Sequence, residues 1–268
     1  MAVDVSVVIP TFRRPRELAE ATKSALAQGN AGIAVEVIVV DDSPEGSGRD
    51  AIAGLDDARV TYLRNPAPTG GRPGAVRNLG WPRARGAIVH FLDDDDVVPP
   101  GHYAALKAAF AARPDVGVVF GRVEPFGDEA QLAHEREFFA TAARRARSSV
   151  WLGPKVGLAA QMFFLATLFV CSAGAVRREC LEPLGGFDEK LRLMEDTDFY
   201  GRAIRRFGAH FLDRVVLNYR IGLSLMHSPA ADRAALAESY QRIHAKYRAE
   251  WGALDFYAMK ALARTVLK

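Results

Sequence analysis

The 268-residue sequence predicts an α/β domain built on a Rossmann-like, mostly parallel sheet flanked by helices. Three observations carry that expectation. Across residues 1–125, short β-branched apolar runs alternate with helical patterns. The runs are apolar at consecutive rather than alternate positions, as in strands buried on both faces. Two of them lead straight into acids, Asp41-Asp42 and Asp93–Asp96, and open parallel sheets bind ligands beyond the carboxyl ends of their strands.

The elements follow in chain order. Val5–Pro10 reads as the first strand, and Pro15 opens a helix with Leu18, Thr22, Ala25 and Leu26 on one side and Gly29 as its stop. Val35–Val40 is a second buried strand, and Val60–Leu63 a shorter one. Gly70, Gly71, Pro73 and Gly74 make a turn-rich loop before a helix through Leu79 and Ala84. Ala87–Leu92 is the next strand, Tyr103–Ala112 a helix after Pro99-Pro100-Gly101, and Val116–Val123 is again strand-like.

Beyond Pro125, residues 128–150 read as a polar helix carrying Arg144-Arg145-Ala146-Arg147. Residues 156–176 hold no charge, a stretch long enough to be weighed as a membrane span. Gln161 and the small polar residues dilute it, so the expected use is a lining segment plus a buried strand over Leu168–Ala175. Glu195-Asp196 opens a helix to about Phe207, and His210–Tyr219 follows as a strand. Leu236, Tyr240, Ile243, Tyr247, Trp251 and Leu254 recur at three- and four-residue steps, the mark of an amphipathic helix. The expected organisation is one main domain over 1–225, in two halves at 1–125 and 126–225. A helical appendage follows at 226–268.

Composition excludes several classes. Apolar residues make up 49% and charged residues 25%, the balance of a globular chain rather than a disordered one. A net charge of +3 does not supply a nucleic-acid-binding face. Two cysteines, Cys171 and Cys180, make no disulfide framework, and the N-terminus shows no basic segment followed by an apolar one. The expected location is cytoplasmic, and the C-terminal helix has three roles open to it: peripheral contact at the inner face of the membrane, a homodimer contact, or simple docking onto its own domain. No Gly-Lys-Ser/Thr follows Gly70–Gly74 and no G-x-G-x-x-G follows a strand, which disfavours ATPase and dinucleotide-dependent chemistry.

The four consecutive aspartates carry the chemical signal. They repel one another unless a cation sits among them, and the apolar run Ile88–Leu92 should fix the first at a buried edge. A hard divalent ion, Mg²⁺ or Mn²⁺, held by one or two carboxylates and the oxygens of a diphosphate, resolves that conflict. The plainer reading is a solvated acidic turn that caps the helix near Pro100.

Five ordered motifs then point to a family. They are Val5-Ser6-Val7-Val8-Ile9-Pro10-Thr11-Phe12, Val40-Asp41-Asp42-Ser43, Val76-Arg77-Asn78-Leu79-Gly80, Phe91-Leu92-Asp93-Asp94-Asp95-Asp96, and Gly185-Gly186-Phe187-Asp188-Glu189 with Glu195-Asp196. The sequence resembles family 2 glycosyltransferases of GT-A fold, the inverting nucleotide-sugar-dependent enzymes of bacterial polysaccharide assembly. The likeness reaches to about residue 220 and implies a catalytic domain over 1–225, with a nucleotide-sugar-binding half at 1–125 and an acceptor half at 126–225.

The resemblance implies a nucleotide site at Pro10, Thr11, Phe12, Arg14, Asp41, Asp42, Arg77, Asp93 and Asp94. Asp41 would accept a hydrogen bond from the base, plausible for the N3–H of uracil; its plainer role is a strand-end turn. Arg77 would approach the nucleotide or serve in a structural ion pair. Asp93 and Asp95 would hold the metal, Asp95 directly, with Asp94 nearer the ribose or sugar. His227 would be a late metal ligand, against a structural role for a lone histidine after a strand. Of Glu195 and Asp196, Asp196 would be the catalytic base, against an N-cap role for Asp196 or Asp198. The implied donor is a nucleotide-sugar, UDP-linked by preference, and the acceptor a saccharide or lipid-linked hydroxyl. A sugar nucleotidyltransferase and a catalytically silent nucleotide-sugar-binding subunit are the alternatives.

Overall fold

The computed structural model describes residues 2–222 and 233–267. In its first half, β1 (Val5–Thr11), β2 (Val35–Asp41), β3 (Val60–Arg64) and β4 (Ile88–Phe91) alternate with α1 (Pro15–Leu26), α2 (Arg49–Ala53) and α3 (Pro73–Gly80). The second half runs α4 (His102–Ala112), β5 (Val118–Phe126), α5 (Glu129–Ser149), α6 (Gly157–Phe164), β6 (Gly174–Arg177), α7 (Leu181–Leu184), α8 (Glu195–Phe207), β7 (Ala209–Arg220) and α9 (Arg233–Thr265). The described strands form one sheet in the order β3-β2-β1-β4-β6-β5-β7. β3, β2, β1 and β4 are mutually parallel, β6 runs antiparallel between β4 and β5, and β7 is parallel to β5.

Every residue of β1 and β2 is buried, which is why their sequences show no polar alternation. Their register pairs Thr11 with Asp41, while Val8 pairs with Phe91 of β4. Three strands therefore release their chains at one edge, and Thr11, Asp42 and Asp93 emerge together. On one face, α3 packs closely against β1 and β2 because Gly80 has no Cβ: one added there would fall 2.5 Å from Val8 Cγ1.

The helix that closes this edge, α8, is fastened through aromatics. Phe199 stacks on Phe187 at 4.1 Å and meets Phe91 edge-on at 5.6 Å, tying α8 to the end of β4.

The uncharged window is divided between α6 and β6, and the strand expected over Leu168–Ala175 exists only from Gly174. The reason lies in where the backbone is used. Ser172 gives its carbonyl to His90 Nε2 (2.7 Å), and its hydroxyl accepts from Asp93 N–H (3.0 Å), so this stretch serves the neighbouring loop rather than a ladder. No helix among the described residues is long and apolar enough to cross a membrane.

The C-terminal helix is bent, not straight: Gly252 adopts φ 85° and ψ 166° within α9, a left-handed excursion suited to glycine. α9 lies against α6 and α8, with Tyr247 packed on Phe163 (4.9 Å) and Phe256 on Phe164 (5.1 Å). Lys246 reaches Asp198 of α8 at 2.7 Å, and Arg242 pairs with Asp188 at 2.8 Å.

Phe199→Ala removes a fully buried ring from the junction of α8 and β4. It should lower unfolding stability by about 3–5 kcal/mol in urea denaturation. A loss below about 1 kcal/mol would mean the junction repacks around the cavity.

Candidate active site

A cleft of about 250 Å³ opens where β1, β2 and β4 end. Pro10, Thr11, Phe12 and Arg14 form one wall, and Asp42, Gly71, Pro73, Val76 and Arg77 another. Asp93, Asp94 and Asp95 lie on its floor, opposite Met194, Glu195 and Asp196 at the start of α8.

The aspartate run turns inward as it proceeds. Asp96 N–H donates to the Asp93 carbonyl at 3.2 Å, and Val97 exchanges backbone hydrogen bonds with Asn218 of β7 at 3.0 and 2.9 Å. The loop is thus drawn toward β7. Consequently Asp93, expected at the buried edge, is the most open of the four: its side chain is 32% exposed, against 7% for Asp94 and 10% for Asp95. Asp96 is fully buried; its Oδ1 accepts from Arg220 N–H at 3.0 Å, and its Oδ2 has no partner among the described residues.

Asp94 accepts from Thr11 Oγ1 at 2.7 Å and from Arg14 at 3.2 Å. Asp95 accepts from Arg14 at 2.6 Å. One guanidinium does not offset the burial of both. Loss of hydration pushes the Asp94 carboxyl up to about 6 against the pull of Arg14, and burial with the charges of Asp93 and Asp94 pushes Asp95 up to about 7.

The acids after β2 are spent on shaping loops. Asp41 is completely buried and accepts from Ser43 N–H and Oγ, Gly48 N–H and Tyr62 OH, all within 2.9 Å. It therefore lies behind the cleft wall. Asp42 reaches the cleft while accepting from Asn65 Nδ2, Thr69 N–H and Oγ1, and Gly71 N–H, all within 2.8 Å. Between them the two carboxylates fold residues 43–48 and 65–71.

Arg77 is the buried cation of the cleft. It donates to Asp93 at 2.5 Å and to Glu195 at 2.8 Å, and its guanidinium stands 5.2 Å from the Phe187 ring centre. Asp196 follows Glu195 without such a partner: its Oδ1 accepts from Thr197 N–H at 2.7 Å. Neither Asp196 nor Asp198 caps the helix. Met194 occupies the cap position in a left-handed conformation (φ 62°), and Asp198 pairs with Arg202 at 2.8 Å. Burial, joined by the adjacent Glu195 charge, pushes the Asp196 carboxyl up to about 7.

Several contributors carry no motif. Arg192, exposed at the cleft edge, is a lone cation between Leu191 and Leu193, the one local signal that marks it. Tyr219 enters from β7 and Cys171 from the turn before β6. Behind Asp93, the Ser172 carbonyl requires a proton on His90 Nε2, so His90 Nδ1 accepts from Tyr103 OH at 2.8 Å. Burial lowers the His90 imidazole to about 4 and keeps it neutral. His227 lies outside the described residues.

A seven-stranded, mostly parallel sheet with acids at the end of β4, closed by the acidic start of a helix, is a GT-A architecture. The chain belongs to glycosyl transferase family 2, whose model matches residues 6–185. It is 36% identical over 104 residues to a Campylobacter jejuni protein, GalNAc(5)-diNAcBac-PP-undecaprenol beta-1,3-glucosyltransferase, covering 38% of this chain and 33% of that one. Among solved structures it resembles Staphylococcus aureus TarS 1-349 in complex with UDP-GlcNAc (TM-score 0.68, 19% identity, 92% of this chain and 67% of that one). It also resembles the Pyrobaculum calidifontis mannosyltransferase PcManGT in complex with GDP-Man and Mn²⁺ (TM-score 0.68, 21% identity, 100% of this chain and 70% of that one). The chain spans about a third or less of the length of the first curated relatives it matches.

The raised Asp196 carboxyl has a consequence for folding. A carboxyl whose pKa is higher folded than unfolded binds more protons in the native state, so its effect on stability becomes unfavourable as pH rises from about 4 through about 7. Asp196→Asn should therefore stabilise the chain more at pH 8 than at pH 4, measured by urea unfolding at both values. An equal effect at the two pH values would mean that Asp196 titrates normally.

Proposed function

We propose that this chain is an inverting, metal-assisted glycosyltransferase that moves a sugar from a nucleotide-sugar, UDP-linked by preference, to a hydroxyl of a saccharide or lipid-linked acceptor. The observation that carries the reading is the placement of Asp196 across a single cleft from Asp93–Asp95. The UDP-GlcNAc and GDP-Man complexes of the structural neighbours support a nucleotide-sugar donor, and the name of the Campylobacter relative supports a lipid-linked acceptor. Catalytic roles fall within residues 1–225, with 226–268 as an appendage that buttresses them.

The donor set suits a hard divalent ion, Mn²⁺ or Mg²⁺. Its atoms are carboxylate oxygens: those of Asp95 are buried and short of countercharge, and those of Asp93 open on the cleft with one oxygen on Arg77. Among the described residues no three acidic, histidine or cysteine side chains converge to hold an ion, which suits one that takes most of its ligands from diphosphate and water. Asp95 and Asp93 would hold it, with His227 as the further candidate. Bound there, it would take up the charge that develops on the departing nucleoside diphosphate.

The chain's own residues supply the rest. Pro10, Thr11, Phe12, Asp42 and Asp94 shape the nucleotide side, with Asp41 fixing the loop behind it. Asp196 takes the acceptor's hydroxyl proton as the new bond from that oxygen to the anomeric carbon forms and the bond to the diphosphate oxygen breaks. Its raised pKa matches neutral operation. Two neighbours suited to covalent attack are withheld: Glu195 is paired with Arg77, and burial pushes the Cys171 thiol far up and keeps it protonated. A single displacement with inversion follows.

Asp196→Asn should lower turnover by about 10²–10⁴-fold. Calorimetric affinity for UDP or GDP with Mn²⁺ should stay within a few fold of the parent. Parent activity should rise with pH through about 7, because the base must be ionised, and this limb should vanish in the variant. Binding of neither nucleotide by the parent chain, or full turnover by Asp196→Asn, would sink the reading.

A further inference from the structure

Arg14 stands where the acids of the cleft most need a positive charge. Its Nη1 lies 2.6 Å from Asp95 Oδ2 and 3.2 Å from Asp94 Oδ1. The backbone drives it there. Arg13, just before it, is left-handed (φ 58°), a conformation non-glycine residues hold only when their surroundings enforce it. Its own side chain is turned away from the cleft acids, paired with Glu45 at 2.8 Å and with its guanidinium 5.2 Å from the Phe12 ring centre. Pro15 then starts α1, so the turn aims Arg14 across the cleft instead of along the helix.

We propose that Arg14 is an exchangeable counter-cation. In the metal-free chain it neutralises the Asp94–Asp95 edge; it gives up Asp95 to the divalent ion and turns to the phosphate oxygens of the donor. The inference rests on the metal-assisted nucleotide-sugar reading above. Two features favour exchange over a fixed ion pair. The Arg14 side chain is 30% exposed at the cleft wall, where solvent and a ligand can reach it, whereas the Arg77 side chain, which ties Asp93 to Glu195, is buried. And a cation placed on Asp95 confronts the guanidinium at hydrogen-bonding range, so the two compete for one carboxylate. Competition of this kind is reciprocal: whatever Arg14 costs the ion, the ion costs Arg14. A released guanidinium beside a diphosphate has its natural acceptor, since its planar fork matches phosphate oxygens.

The experiment titrates the full chain with Mn²⁺ alone, then with UDP or GDP at saturating Mn²⁺, by calorimetry and by the electron paramagnetic resonance of free Mn²⁺. Arg14→Gln should bind Mn²⁺ alone about tenfold more tightly than the parent, and Arg14→Lys should fall between them. Both nucleotides should bind Arg14→Gln about tenfold more weakly when Mn²⁺ is saturating. Arg14→Lys keeps a charge and carries the comparison should the neutral variant fold poorly. Equal or weaker Mn²⁺ binding in both variants overturns the exchange while leaving the metal reading intact. Unchanged nucleotide affinity overturns the transfer to phosphate. Failure of every form to bind Mn²⁺, with or without nucleotide, overturns the metal reading and the exchange together.

Discussion

The buried guanidinium of Arg77 is the contact on which the cleft depends. It joins Asp93, at the end of a central strand, to Glu195, at the start of the helix that closes the site. Without it two carboxylates would face each other at the junction of the chain's two halves, where an uncompensated charge is among the costliest defects a fold can carry. The consequence for Asp196 is indirect. Because Arg77 holds Glu195, the first turn of α8 is set in register and the next side chain is left lining the cleft, hydrogen-bonded to its neighbour Thr197. The same arrangement keeps a negative charge beside Asp196, which helps hold its proton near neutrality.

Around that contact the strand-end side of the cleft is built by giving buried acids their own hydrogen-bond donors. Asp41 and Asp42 accept four hydrogen bonds each and convert two polar loops into fixed walls. Asp93 is held from behind through Ser172, which is placed by His90 and Tyr103, while Asp96 is spent on Arg220. What remains short of countercharge is the Asp94–Asp95 edge facing the cleft. A preorganised site of this kind keeps its unsatisfied electrostatics where a ligand can meet them and satisfies them elsewhere.

The centre of the sheet was legible because β1, β2 and β4 are buried on both faces and β2 and β4 lead into acids; nothing about these three strands needed tertiary information. The acids of the site were legible for the same reason: unpaired aspartates after apolar strands are conspicuous. Their order of burial was not. Asp93 is the most open because the loop is pulled toward β7 by Val97 and Asn218, residues some 120 apart in sequence whose pairing leaves no local mark. Asp41 and Asp42 look alike in the sequence, yet Gly48 and Tyr62 enclose one while Gly71 brings the other to the cleft. The strand expected at Leu168–Ala175 failed where Ser172 was claimed by His90, a demand that comes from across the sheet.

The C-terminal helix extends the same logic to the far side of α8. Asp198 lies one half-turn beyond Asp196 and receives Arg202 from its own helix and Lys246 from α9, while Lys246 and Arg242 also engage Asp188 in the segment leading to the helix. α8 is therefore held at its start by Arg77 and along its back by α9, with the aromatic cluster of Phe163, Phe164, Tyr247 and Phe256 filling the space between. The position of the Asp196 carboxyl is then a product of residues 77, 93, 195, 198 and 246 acting together. A helix that lies outside the family resemblance in the sequence is, in the fold, part of what holds α8 and its Asp196 carboxyl in place.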